Sequence, residues 1–203
     1  MKTLVLFAHP RPDRSEVNVH LAHAARRIEG VSVVDLYAEY PAFDIDCDRE
    51  QQRLVDHDAV ILQHPLYWYS SPAILKEWQD LVLEHGFAYG HDGHALDGKV
   101  VLNAVTCGGA REAYTDAAVN RGEVKELLLP FAKTFDLCRM TYLAPFVLYS
   151  AGRAGNEGRV AAHVAGYTAL LTALVDDRID LAAAQTVTTL SENLGAVISE
   201  GDS

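Results

Sequence analysis

The chain has 203 residues, with 17 Lys and Arg against 28 Asp and Glu, a formal charge of -11 and a 49% hydrophobic composition. A length of this kind makes one domain. The composition excludes disordered and fibrous classes, and the acidic balance lacks the footprint of a nucleic-acid or anionic-membrane binder.

Thr3 to Ala8 is a near-continuous apolar run, and His9-Pro10-Arg11 stops it at once. Pro10 cannot donate a ladder hydrogen bond, and no small-residue cleavage site follows, so the run reads as a strand and not as a signal peptide. The loop from His9 to Asn18 brings Arg11 and Arg14 ahead of a helix with the stripe Val17, Leu21, Ala24, Ala25 and Ile28. Ser15 is read as its N-cap. The free N–H groups of the first turn then form an anion site, although Glu16 would repel a phosphate if it turned inward. An ordinary capped helix under a solvated basic loop accounts for this segment equally well.

Val31 to Leu36 and Ala59 to Gln63 are the second and third strands. After the third comes His64-Pro65-Leu66-Tyr67-Trp68-Tyr69-Ser70-Ser71-Pro72, then a helix with the stripe Ile74, Leu75, Trp78, Leu81 and Val82. Three adjacent aromatics are not needed to pack a helix on a sheet. A planar heterocycle would stack on such rings, and a buried aromatic cluster is the alternative.

His91-Asp92-Gly93-His94 sits in a glycine-rich setting and reads as a loop, so no metal site is assigned. Lys99 to Val105 is the fourth strand, and Thr106-Cys107-Gly108-Gly109-Ala110 follows it. Paired glycines let backbone approach a ligand closely, or simply make a tight turn. Cys107 is read as a small buried residue in preference to a redox thiol.

A fifth strand lies within Met140 to Tyr149, and Val160 to Leu174 has helical spacing. That last stretch is the most apolar in the chain. His163, Gly166, Tyr167 and Thr168 interrupt it, well short of the roughly 20 apolar residues that span a bilayer. Residues 1–185 are taken as the domain and 186–203 as a polar C-terminal tail that frays. Three widely spaced cysteines, Cys47, Cys107 and Cys138, point to a reduced, cytoplasmic chain.

Strands apolar on successive residues, alternating with helices, predict a doubly wound α/β domain with a five-stranded parallel sheet in the order 2-1-3-4-5 and helices on both faces. Ligands bind such sheets beyond the strands' carboxyl ends. The segments after strands one, three and four therefore share one rim.

On these residues the sequence resembles the flavodoxin-like NAD(P)H:quinone oxidoreductases, and most closely the small bacterial ones that accompany glutathione-gated potassium efflux systems. The resemblance runs from Thr3 to about Tyr149. It rests on Ala8-His9-Pro10, the Ser15 to Asn18 helix start, the long run from Gln63 to Trp78, His85-Gly86-Phe87-Ala88-Tyr89-Gly90, Leu96-Asp97-Gly98-Lys99 and Thr106 to Gly109.

It implies that His9, Ser15, Glu16, Val17 and Asn18 hold a flavin phosphate. Leu66, Tyr67, Trp68 and Tyr69 would line the ring, and Thr106, Cys107, Gly108 and Gly109 would lie at its pyrimidine edge. Tyr114 matches a tyrosine that stabilises charge on the reduced flavin in mammalian relatives. Their partner histidine is missing, with Val119, Asn120 and Arg121 in its place. Phe87 and Tyr89 would lie over the acceptor site.

The implied cofactor is FMN, with FAD the alternative, since no adenosine-binding segment stands out. The implied donor is NADH or NADPH, and the acceptor a quinone or similar electrophile taken in turn at one pocket. A homodimer is expected, with the Phe87 to Tyr89 segment and the loop after Gly109, with Tyr114, capping a neighbour's flavin as well as their own. Three other readings stand beside this: an ancillary subunit regulating a membrane potassium-efflux protein, a single-electron flavodoxin, and an azoreductase-like enzyme.

Overall fold

The structure, a computed structural model, describes residues 1–115, 117–120 and 122–199. Strands β1 (Thr3–Phe7), β2 (Val31–Asp35), β3 (Ala59–Pro65) and β4 (Val100–Thr106) pair in parallel, and β5 (Thr141–Tyr142) and β6 (Phe146–Leu148) both pair with β4. The strand order is β2-β1-β3-β4-β5, as the alternation of runs predicts.

The fifth strand is broken in two. Val100 pairs with Thr141 and Ala104 with Phe146, so the offset grows from 41 to 42 and one extra residue bulges out between them. Pro145 lies in that gap and has no N–H to give to the ladder.

Burial explains the composition of the strands. Every residue of β1, β3 and β4 is buried, because helices cover both faces. Leu4, Leu6, Val60 and Leu62 point to one side. There they meet α2 (Leu36–Glu39), α3 (Cys47–Asp56), α4 (Ala73–Val82), α5 (Val124–Leu127) and α6 (Leu129–Leu137) through Leu36, Leu54, Ile74, Trp78, Val124 and Phe135. Val5, Ile61 and Leu102 point the other way, to α1 (Asn18–Ala25) and α8 (Val160–Val175) through Leu21, Ala25, Tyr167, Leu170 and Leu174. A short helix α7 (Ala151–Ala154) precedes α8, and α9 (Leu181–Thr186) and α10 (Leu194–Val197) follow it. No helix among the described residues is long and apolar enough to cross a membrane.

The C-terminal segment differs from the expectation of a fraying tail. Leu190 and Val197 are buried in the α8-side core, and Ile179 bridges Ile198. Leu190 N–H donates to Pro145 O at 2.9 Å. The interrupted fifth strand leaves unpaired backbone groups at the sheet edge, and this segment satisfies them. Residues 200–203 of the expected tail lie outside the described residues.

Candidate functional site

Four strand ends meet at one rim and enclose a cavity of about 380 Å³, lined by His9, Arg14 to Asn18, Pro65 to Tyr67, Thr106 to Gly108, Ala151 and Gly152. Its volume falls within the usual range for small-molecule pockets, roughly 300–1,000 Å³. Backbone bonds stitch the loops together. Leu66 N–H donates to Thr106 O at 2.8 Å, Cys107 N–H to Leu148 O at 2.8 Å, and Ala151 N–H to Cys107 O at 2.9 Å.

The first wall is the start of α1. Ser15 is not the N-cap. Val17 occupies that position and offers no side-chain bond, while Ser15 closes a 3-10 turn, Pro12–Arg14, by donating its N–H to Pro12 O. From there its Oγ still accepts from Val19 N–H at 3.3 Å. The amides of Glu16, Val17 and Asn18 donate to no acceptor among the described residues. Free amides at the positive end of a helix, in a cavity that Arg14 also lines, favour an anion. Glu16 is exposed, and its Oε2 lies by Gly155, 3.9 Å from the Cβ position built there.

Asn18 ties this wall to the sheet. It is 2% exposed; its Nδ2 donates to Thr106 Oγ1 at 2.8 Å and its carbonyl accepts from Gln63 Nε2 at 2.8 Å. Its Oδ1 has no partner. Leaving a buried acceptor unpaired costs about 1–3 kcal/mol, a cost that a hydrogen-bond donor entering the cavity would relieve.

His9 extends the same wall. Its Nδ1 accepts from Arg11 N–H at 3.2 Å, which leaves Nε2 as the N–H donor. Partial burial pushes its pKa below the ordinary histidine value. Its ring stands edge-on to Tyr67 at 6.3 Å.

The loop after β3 brings only part of the aromatic trio to the cavity. Tyr67 and Ser70 exchange backbone bonds of 3.0 and 2.9 Å, closing a tight turn in which Trp68 and Tyr69 both have positive φ, 48° and 64°. Such residues cost about 1–3 kcal/mol each outside glycine. The turn sends Trp68 outward, 93% exposed, and leaves Tyr69 half-exposed with its hydroxyl donating to Asn120 Oδ1 at 3.3 Å. Neither lines the cavity, contrary to expectation, whereas Leu66 and Tyr67 do.

Beneath this loop His64 is fully buried. Its Nδ1 donates to Pro65 O at 3.0 Å, its Nε2 accepts from Asn103 Nδ2 at 2.9 Å, and Asn103 Oδ1 accepts from Tyr142 OH at 2.6 Å. Burial lowers the His64 pKa to about 4, so the ring is neutral and the network is satisfied.

After β4, Thr106, Cys107 and Gly108 line the cavity and Gly109 does not. Burial pushes the Cys107 thiol up to about 12, so it carries no thiolate at neutral pH. Tyr114 is 8% exposed and sits behind the glycines. Its Cε2 is 3.0 Å from the Cβ position of Gly109, and its ring is 5.6 Å from that of Tyr149. Burial raises its pKa to about 12, which keeps the phenol protonated. Val119 is 90% exposed, and Arg121 lies outside the described residues.

Phe87 and Tyr89 do not reach this cavity within one chain. They follow α4, half-buried against the core; Tyr89 borders a separate recess with Gln79, Leu83 and Cys138. The sequence reading also missed Pro65, Ala151 and Gly152. The last two could have been found by applying the strand-end rule to the fifth strand as well as the others.

The model of the flavodoxin-like fold family matches residues 1–171. The glutathione-regulated potassium-efflux system ancillary protein KefG of Shigella flexneri is 43% identical over 166 residues, 82% of this chain and 90% of that protein. The crystal structure of general stress protein 14 from Treponema denticola, in complex with FMN, is 36% identical with a TM-score of 0.80, covering 86% of this chain and 99% of that one. The NADPH-quinone reductase from P. pentosaceus is 30% identical with a TM-score of 0.76, covering 85% and 98%.

Proposed function

The chain belongs to the flavodoxin-like NAD(P)H:quinone reductase family, and from that premise we propose that it is a flavin-dependent NAD(P)H:quinone oxidoreductase holding FMN in the rim cavity. The observation that carries the reading is the row of free amides at the α1 end, with the Asn18 side-chain amide on the same cavity wall whichever way it is turned. A phosphorylated ribityl chain brings both groups such a wall needs: hydroxyl donors for Oδ1 and an anion for the amides. If the Asn18 amide turns over, Thr106 Oγ1 donates to Oδ1 and Nδ2 presents its N–H groups to the cavity instead.

When bound, the flavin would supply the redox chemistry, taking hydride from NAD(P)H and giving two electrons to a quinone. The chain's part is to bind and orient. Arg14, Ser15 and the amides of Glu16 to Asn18 would hold the phosphate. Pro65, Leu66 and Tyr67 would support the ring, and the backbone of Thr106 to Gly108 would face its polar edge. Tyr114 would act from behind Gly109, as a protonated phenol favouring negative charge at that edge. FMN is preferred to FAD because the 36% identical general stress protein 14 structure is a complex with FMN.

Tyr67, Trp68, Tyr69 and Val119 are exposed at 41%, 93%, 49% and 90%. Three of them share one strained turn, and Val119 adjoins its contact residue Asn120. A second copy covering this face would bury them and would bring its own Phe87 and Tyr89 to the acceptor side. In an obligate homodimer that interface should bury more than about 2,000 Å².

With one cavity for both substrates, the donor must leave before the acceptor enters. Initial rates with NADH or NADPH and a quinone should therefore give parallel double-reciprocal lines, and an azo dye tested beside the quinone distinguishes an azoreductase. Intersecting lines would mean a second nicotinamide site and would overturn this scheme. The 43% identity to KefG favours one additional role, as ancillary subunit of a potassium-efflux protein. Co-purification with such a transporter tests it.

A further inference from the structure

The family match stops at residue 171, yet the segment beyond it reaches back to the loops of the cavity rim. Its course is set by bonds to the broken fifth strand. Ala144 N–H donates to Ala184 O at 2.9 Å, Leu190 N–H to Pro145 O at 2.9 Å, and Val147 N–H to Ser191 Oγ at 3.2 Å. Glu192 comes next and is thereby delivered to Arg111. Arg111 Nε donates to Oε1 at 2.7 Å and Nη2 to Oε2 at 3.1 Å, and Thr189 Oγ1 donates to Oε2 at 3.1 Å. The Arg111 guanidinium, with help from Thr189, holds the Glu192 carboxyl below its ordinary range. Lys125 makes a second tie, donating to the carbonyls of Gln185 and Val187 at 3.0 and 3.3 Å.

From Arg111 the path to the cavity is short. Arg111–Ala113 is a 3-10 turn with no fully buried residue of its own; Ala113 packs partly buried on the core and its carbonyl accepts from Asn120 N–H at 3.1 Å, while the exposed Arg111 end is tied through its side chain. Ala113 N–H donates to Ala110 O and Tyr114 N–H to Arg111 O, both at 3.0 Å. Tyr114 then packs behind Gly109, whose carbonyl accepts from Ser150 N–H at 2.8 Å. Gly108 and Cys107, just before it, line the cavity.

We propose that Glu192 is a positioning residue: its forked pairing with Arg111 holds the turn that seats Tyr114 behind Gly109, and so sets the cavity wall made by Cys107 and Gly108. A two-point, charge-assisted bond fixes direction as well as distance. The link to ligand binding rests on the reading of the cavity as a flavin site; the link between Glu192 and the turn does not.

The test compares wild type, Glu192→Gln, and the exchanged pair Arg111→Glu with Glu192→Arg. Two readouts are taken: hydrogen exchange at the amides of Ala113 and Tyr114, and FMN affinity by fluorescence titration. Glu192 is partly exposed, so the glutamine variant should fold, and thermal melting of each protein checks this. Glu192→Gln should speed exchange at both amides and weaken FMN binding by about two- to fivefold, the range set by partly exposed ion pairs. The exchanged pair should recover both properties at least in part.

Unchanged exchange in Glu192→Gln, or an exchanged pair no better than the single variant, overturns the positioning role. Faster exchange with unchanged FMN affinity overturns its link to the site. A wild-type protein that binds no FMN overturns the flavin reading instead, and the exchange results still decide whether Glu192 holds the turn.

Discussion

Replacing Ser15 with Asp should move stability and ligand binding in opposite directions. Ser15 is half-buried, lines the cavity, and accepts from Val19 N–H at 3.3 Å. An aspartate can take the same N–H, and its charge faces the positive end of α1, a gain of about 0.3–1 kcal/mol for the folded chain. Toward a bound phosphate the sign reverses. Two unit charges about 4 Å apart interact by about 4 kcal/mol at an effective dielectric of about 20. Solvent reaching the half-exposed side chain takes away roughly half of that. A penalty of about 2 kcal/mol remains, equal to a roughly 30-fold rise in the FMN dissociation constant.

Fluorescence titration measures that constant, and riboflavin, which lacks the phosphate, is the control that isolates the charge. Ser15→Asp should lose FMN affinity, keep riboflavin affinity, and melt no lower than wild type. Ser15→Ala should lose up to about 1 kcal/mol of stability with its bond from Val19 N–H and show no comparable loss of FMN. An FMN constant within twofold of wild type, or equal losses for FMN and riboflavin, would refute the placement of the phosphate at this helix end.

Acid should destabilise the fold through His64, fully buried, and His163, partly buried with its ring stacked on Phe146 at 4.5 Å. Burial lowers His64 and His163 to about 4, so the unfolded chain binds more protons than the folded one between pH ~6.5 and ~4. Stability therefore falls as pH drops through that window, by up to about 3 kcal/mol for His64. His64→Gln, which keeps an acceptor for Asn103, should flatten the slope of urea-unfolding free energy against pH, and a slope equal to wild type would count against it. Leu190→Ala should cost about 2–5 kcal/mol if residues 186–199 belong to the cooperative core. A urea midpoint unchanged by that substitution would show that the segment melts separately.

The architecture was legible because its cause is local and repetitive. Apolar runs such as Thr3–Ala8 and Ala59–Gln63 are continuous only when both faces are covered, and the stripe Ile74, Leu75, Trp78, Val82 has the period of one buried helix face. The strand-end rule then located the rim and three of its four contributing loops. Backbone conformation was less accessible. Nothing in Tyr67-Trp68-Tyr69-Ser70 announces two aromatic residues at positive φ, since glycine or asparagine is the usual sign of such a turn. Trp68 was therefore expected against a bound ring, and in the single chain it points to solvent. Ser15 was recognised as a capping residue, but whether it caps from one residue before the helix or from three depends on the 3-10 turn that Pro12 begins.

The covering of the sheet edge was the most hidden feature. Residues 186–199 are half polar, with no regular apolar stripe, and their packing is decided by the carbonyl of Pro145 and the amide of Val147 at a one-residue bulge. The period of an apolar stripe is written into the segment that carries it. The pairing of Glu192 with Arg111, 81 residues away, is not written in either segment. It exists only once the broken strand between them has folded and offered the backbone bonds that bring them together.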